Sequence, residues 1–213
     1  LPHTDHAAEI AELAHANRKE VLLHLPLESV GDIPLGSGGI TLDMDEADIK
    51  ATVQDDLASI PYLAGVNNHE GSMITQHPGD MAWILETVHG AGKLYYLDSY
   101  TSADSVAYQV AREQHVRAAR RNVFLDDVNT DDAVRAQWKR LIVIARKRGF
   151  ALAIGHPRAA TLRVLAEELP ELAAENVKLV APSKIVDLQE KHPLPDAATV
   201  AVGASAGGSS PQQ

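Results

Sequence analysis

The 213-residue chain contains no cysteine, which excludes disulfide cross-links and thiol nucleophiles and leaves the compartment open. Aromatic residues make up only 4%, so aliphatic side chains must fill the interior, and a dedicated ring platform for sugar stacking is disfavoured. Positive charge is in deficit: 19 Lys and Arg against 29 Asp and Glu give a formal net charge of -10. This argues against a nucleic-acid backbone or an anionic membrane surface as partner. The densest basic cluster, Arg112, Arg117, Arg120 and Arg121, reads as the solvated face of a helix. No apolar run reaches the length of a membrane span, so membrane insertion is not expected. Leu1 to Asn17 also lacks the basic-then-apolar pattern of an export signal. Gly36, Gly38 and Gly39 are followed by neither a P-loop lysine nor a dinucleotide turn, and Gly-x-Ser-x-Gly is missing. Nucleotide binding and serine hydrolysis of the nucleophile-elbow kind are therefore disfavoured.

What is present is a globular composition, 45% hydrophobic, at a length able to bury a large core without metal or disulfide. Short apolar segments rich in β-branched or aromatic residues predict strands at Glu20–Leu25, Tyr62–Val66, Lys93–Leu97, Asn122–Leu125, Phe150–Ile154 and Lys178–Val180. Between them, Ile49, Val53, Leu57 and Ile60 recur at helical spacing. So do Val134, Trp138, Leu141 and Ala145, and again Leu162, Leu165, Leu169 and Leu172. Strands alternating with amphipathic helices predict an α/β fold with parallel pairing, either an open doubly wound sheet or a (β/α) barrel. Ser29–Gly39, rich in Gly, Pro and Ser, predicts a long functional or disordered loop. Residues 1–202 read as one domain and 203–213 as a Gly/Ser/Gln-rich disordered tail.

In parallel α/β folds ligands bind beyond the carboxyl ends of the strands. Those ends carry, in order, His24 with Glu28, then Asn67, Asn68 and His69, then Asp98 and Ser99, then Asp126 and Asp127, then His156. Histidines with carboxylates suit a divalent ion such as zinc. His24 and Glu28, four apart, share a face if the strand breaks into a helical turn after Leu25, which Pro26 favours. His156, in Ile154-Gly155-His156-Pro157, sits on a constrained turn suited to a general acid or base. Each residue alone also has an ordinary structural reading: His24 as a hydrogen-bonded core histidine, Asp127 as a helix cap. His3, His6 and the other histidines are read as surface, with the reservation that Pro2–His6 could follow a further strand.

At these positions the chain resembles the divergent polysaccharide deacetylase family, from the first helix to Pro182. The resemblance is carried by Leu23-His24-Leu25-Pro26-Leu27-Glu28, Gly65-Val66-Asn67-Asn68-His69-Glu70-Gly71-Ser72, Leu97-Asp98-Ser99-Tyr100-Thr101-Ser102, Val123-Phe124-Leu125-Asp126 and Ile154-Gly155-His156-Pro157. It implies a distorted (β/α) barrel of parallel strands and covering helices, related to metal-dependent carbohydrate esterases that remove acetyl groups from N-acetylated sugars. It further implies a divalent metal, zinc by preference, on His24, with Glu28 where better-known members keep a second histidine and His69 as a further ligand candidate. His156 looks like the late catalytic histidine, acting with Asp98, while Asn67, Asn68, Ser99 and Asp126 stand as substrate contacts.

Family members open with a strand ending in paired aspartates, one for metal and one as base, and this chain begins after that point. The expectation is thus a barrel lacking its first strand, with an open edge. Two further departures are Glu70, where the family more often has methionine, and Tyr100, where arginine is common. The resemblance implies an N-acetylated envelope polysaccharide as partner and a periplasmic or exported location. The competing expectation is a non-catalytic carbohydrate-binding or regulatory module that keeps the fold.

Overall fold

Strands and helices alternate along the chain in a computed structural model that describes residues 1–31 and 33–194. Helix α1 (Ala7–Ala16) leads into β1 (Val21–Leu27), then α2 (Glu46–Ser59), β2 (Leu63–Glu70), α3 (Pro78–Gly90), β3 (Tyr95–Asp98) and α4 (Ala107–Glu113). The second half comprises β4 (Ala118–Arg120), β5 (Val123–Phe124), α5 (Asp131–Arg148), β6 (Ala153–Ile154), α6 (Ala159–Glu168) and α7 (Pro182–Lys191). All pairings are parallel: β1-β2-β3-β4 form one sheet and β5-β6 a second. Only Arg121 and Asn122 join the two sheets along the chain, so the curved wall of a distorted (β/α) barrel is split at that seam. The expected domain limit at 202 and the tail 203–213 lie outside the described residues.

Local chemistry explains the helices. In α5, Thr130 caps the N-terminus by accepting the Ala133 N–H, Asp131 and Asp132 occupy the first turn, and Arg146, Lys147 and Arg148 the last. Gly149 then ends the helix in the left-handed region (φ 86°). Each charge opposes the helix dipole at its end. Val134, Trp138 and Ile142 form the buried stripe. In α6 the buried stripe is Ala160, Thr161 and Val164, while Leu162 is 54% exposed. Of the expected leucine face, Leu165, Leu169 and Leu172 pack against Trp138 and Ile142, the last two from the 3-10 turn at Leu169–Ala173, and only Leu162 turns outward.

Side chains alternate across the sheet. One face carries Leu23, Leu25, Val66 and Tyr96 into a core shared with Ile49, Val53, Ile84 and Leu85 of α2 and α3. The other carries Leu22, Tyr95, Leu97 and Ala119 against Phe150, Leu152 and Ile185. Gly65 is required at its position: a Cβ there would lie 2.6 Å from the Tyr95 ring and from its carbonyl oxygen.

Three sequence expectations are corrected. Lys178–Val180 forms no strand, and Ala118–Arg120, read as part of a basic helix face, is the edge strand β4. Its arginines are engaged: Arg117 pairs with Asp187, and Arg120 lies over the Tyr100 ring at 4.5 Å. The helical turn after Leu25 is absent, since β1 runs on to Leu27 with Pro26 inside it. Proline is tolerated there because β1 is an edge strand, and the Pro26 carbonyl accepts the Ile40 N–H as the 28–45 loop folds back. That loop otherwise contains no helix or strand among its described residues, as expected.

Candidate active site

β1 and β2 are in register with His24 opposite Asn67 and Pro26 opposite His69. This brings His24 Nε2 to 3.2 Å from His69 Nδ1, the rings edge-on with centroids 4.8 Å apart. Burial, then the neighbouring His69, pushes His24 down to about 4, and burial also lowers His69. Both rings are thus neutral near pH 7, the form that binds metal. Zinc–nitrogen bonds of about 2.0–2.1 Å at a tetrahedral angle would set two ligand nitrogens about 3.3 Å apart, so the pair fits two corners of such a site. His24 Nδ1 is buried without a hydrogen-bond partner. Among the described residues no three His, Asp or Glu side chains converge as a metal-holding group.

Glu28 does not join the pair. Along a strand, residues four apart are separated by about 13 Å, and the Glu28 carboxylate accepts the Leu42 N–H at 2.7 Å. It pins the returning loop instead of meeting His24.

β5 and β6 build the second part. The Asp126 carboxylate, fully buried, accepts the His156 ring Nδ1 at 3.0 Å, the His156 backbone N–H at 2.7 Å and the Thr161 hydroxyl at 2.8 Å. Burial raises the Asp126 carboxyl, but these hydrogen bonds outweigh it and hold the group below its ordinary value. An ionised Asp126 fixes His156 as the Nδ1–H tautomer, leaving Nε2 with a free lone pair. The His156 side chain is 44% exposed, and positive charge on it would lower both His24 and His69, as the nearby amino terminus does. The three histidines, from three strand ends, are thus near enough to act on one another electrostatically.

The remaining predicted residues hold the scaffold. Asp98 is fully buried, its oxygens accepting the Tyr100 N–H at 2.7 Å and the Ser105 hydroxyl at 3.0 Å, and burial raises its carboxyl. Asn68, 1% exposed, accepts the Tyr96 hydroxyl and the Ser99 N–H and donates to the Glu70 carbonyl. The Ser99 hydroxyl donates to the Asn68 carbonyl and accepts from Asn67. Of this set only Asn67 is partly exposed on the sheet face opposite Asn68. Glu70 (φ 54°) and Tyr100 (φ 52°), the two departures from the family pattern, both hold left-handed backbone at strand ends. Such conformations cluster at functional sites.

Sequence reasoning missed Thr161, Arg121 and Arg158. Arg121 donates to the carbonyls of Ser99 and Tyr100 and lies 5.1 Å from the Phe124 ring, itself 5.6 Å from His156. Arg158 donates to the Asp126 carbonyl at 2.8 Å. His3, read as surface, has its Nε2 2.9 Å from the buried Asp56. No local signal marks these contacts, since each links residues far apart in sequence.

Comparison with known proteins matches the chain to one family. The model of the divergent polysaccharide deacetylases matches residues 1–186. The chain is 33% identical over 204 residues to the uncharacterised protein YibQ of Escherichia coli, covering 92% of the chain and 63% of that relative. An uncharacterised protein of Haemophilus influenzae is 32% identical over 206 residues, covering 92% of the chain and 73% of that relative. The chain thus spans less than two thirds of the length of the Escherichia coli protein. The crystal structure of an uncharacterised protein from Agrobacterium tumefaciens has the same fold, with a TM-score of 0.82 at 19% identity, covering 86% of this chain and 75% of that one. The chain belongs to the divergent polysaccharide deacetylase family.

Proposed function

We propose that the chain is the hydrolytic domain of a metal-dependent deacetylase acting on an N-acetylated polysaccharide of the cell envelope. The observation that carries the reading is His156, whose Nδ1 is committed to a buried carboxylate while Nε2 is open. That is the geometry of a positioned proton carrier. Once protonated, Nε2 delivers its proton to the leaving amine nitrogen, and Asp126 stabilises the imidazolium. His24 and His69 would hold the metal, which when bound polarises the acetyl carbonyl and lowers the pKa of water. Asn67, on the same rim, supplies an amide to orient the sugar. An envelope substrate carries with it a periplasmic or exported location. Among the described residues no helix is long and apolar enough to cross a membrane.

One observation favours a second reading, a carbohydrate-binding module without turnover: no third ligand joins the histidine pair among the described residues. Elemental analysis of protein purified without chelators, with N-acetylglucosamine oligomers as substrate, separates the two. The deacetylase reading expects about one equivalent of metal in the wild type, lost in His24→Ala. It also expects His156→Ala to keep its metal and lose acetate release. A chain that takes up no metal from added zinc and still binds the oligomers is a binding module.

A further inference from the structure

At the seam between the two sheets lies a cleft of about 560 Å³ whose walls include Tyr100, Arg120, Arg121, Asn122, Lys147 and Arg148. In a chain of net charge -10, no Asp or Glu is among its described lining residues. Three of its cations, Arg121, Lys147 and Arg148, form no ion pair among the described residues, although Asp98 and Asp127 lie near enough to attract Arg121, whereas the neighbouring Arg146 is bound to Glu175. The helix dipole accounts for basic residues in the last turn of α5. It does not account for Arg121, which comes from the strand junction and lines the same cleft. Arg121 is fixed in place by the Ser99 and Tyr100 carbonyls, so its orientation needs no further ordering. Asn122 uses its side-chain oxygen to accept the Leu152 N–H, which leaves its amide hydrogens as donors.

Apart from the Tyr100 hydroxyl, which donates to the Ala103 carbonyl, the polar side chains of the wall offer hydrogens or positive charge, and the complement to such a wall is a compact, multiply charged acceptor. We propose that this cleft binds an oxyanion of the phosphate class. Guanidinium groups and ammonium groups together are the usual cradle for that chemistry. The cleft abuts the histidine site through Arg121 and Phe124, and it stands apart from the hydrolytic reading because its occupancy requires no turnover. The oxyanion is either free or a substituent on a saccharide.

Calorimetric titration of the full chain at low ionic strength, with inorganic phosphate and separately with N-acetylglucosamine 6-phosphate, tests the assignment. Saturable binding at one site is expected, weakened at least tenfold in the double variant Lys147→Gln/Arg148→Gln. The control Lys139→Gln/Lys178→Gln removes the same charge outside the cleft and should leave affinity within twofold. Tighter binding of the sugar phosphate by tenfold or more identifies a substituted saccharide; equal affinities identify the free oxyanion. Absence of saturable binding of both probes, or equal weakening in the two double variants, overturns the proposal.

Discussion

Asp126 is the residue on which most depends, because one buried carboxylate serves the His156 ring, the His156 backbone and Thr161 at once. Asp126→Asn keeps the shape but can present an acceptor to only part of that set and an NH2 group to the rest. On the proposed reading, deacetylation should fall by about 10²-fold or more in kcat with KM little changed. Independently of turnover, the ¹⁵N chemical shifts of His156 should move away from a pure Nδ1–H tautomer. Unaltered ring shifts would show that Asp126 does not set the tautomer. His156 was legible from its Gly-His-Pro turn and Asp126 from the end of its strand. That Asp126 orients His156 was not legible, since the pairing of β5 with β6 that joins them spans 30 residues.

At the scale of elements, alternation along the strands sorts the predicted residues into two sets. Reading strand ends gathers every polar residue there, but a period of two sends neighbours to opposite faces. His24 and Asn67 lie on the inner face, whereas Asn68 joins Tyr96 on the helix-covered face and there bonds its hydroxyl. Asp98, two residues beyond Tyr96, falls on that same face. The helices α2 and α5 were legible from their apolar stripes, although α2 buries Asp56 beside Ile49 and Val53. The three-residue strand β4 was not, because its two alanines and one arginine carry no strand signature and its place is set by pairing with β3. The same close pairing makes a prediction at Gly65. Gly65→Ala would press on the Tyr95 backbone as well as its ring, so urea unfolding should show a loss of roughly 1–3 kcal/mol. Gly79→Ala, in α3 with nothing within 4 Å of its added Cβ, should be neutral or slightly stabilising. Equal effects at the two positions would contradict the packing argument.

The whole molecule registers these buried groups in its response to acid. His24, held at about 4 against an ordinary 6.5, leaves the folded chain binding fewer protons than the unfolded chain between those values. Its contribution to stability is therefore complete above about pH 6.5 and is lost as pH falls toward 4. Asp56, raised to about 6 chiefly by burial, acts in the opposite sense over nearly the same window, so the wild-type profile is flatter than either part. His24→Gln removes one part alone. Measured by urea unfolding, the variant should gain about 2–3 kcal/mol on the wild type between pH 7 and pH 4.5; a constant difference would exclude the buried neutral histidine. The seam carries a consequence of another kind. His24 and His69 belong to one sheet and Asp126 and His156 to the edge of the other, with two residues of chain bridging them. The gap between His156 and the imidazole pair is thus bounded by two separate sheets and follows how they lean on each other. On the proposed deacetylase reading, Arg121 and Asn122 form the covalent joint across that gap, so substitution there would act on its width while leaving every histidine in place.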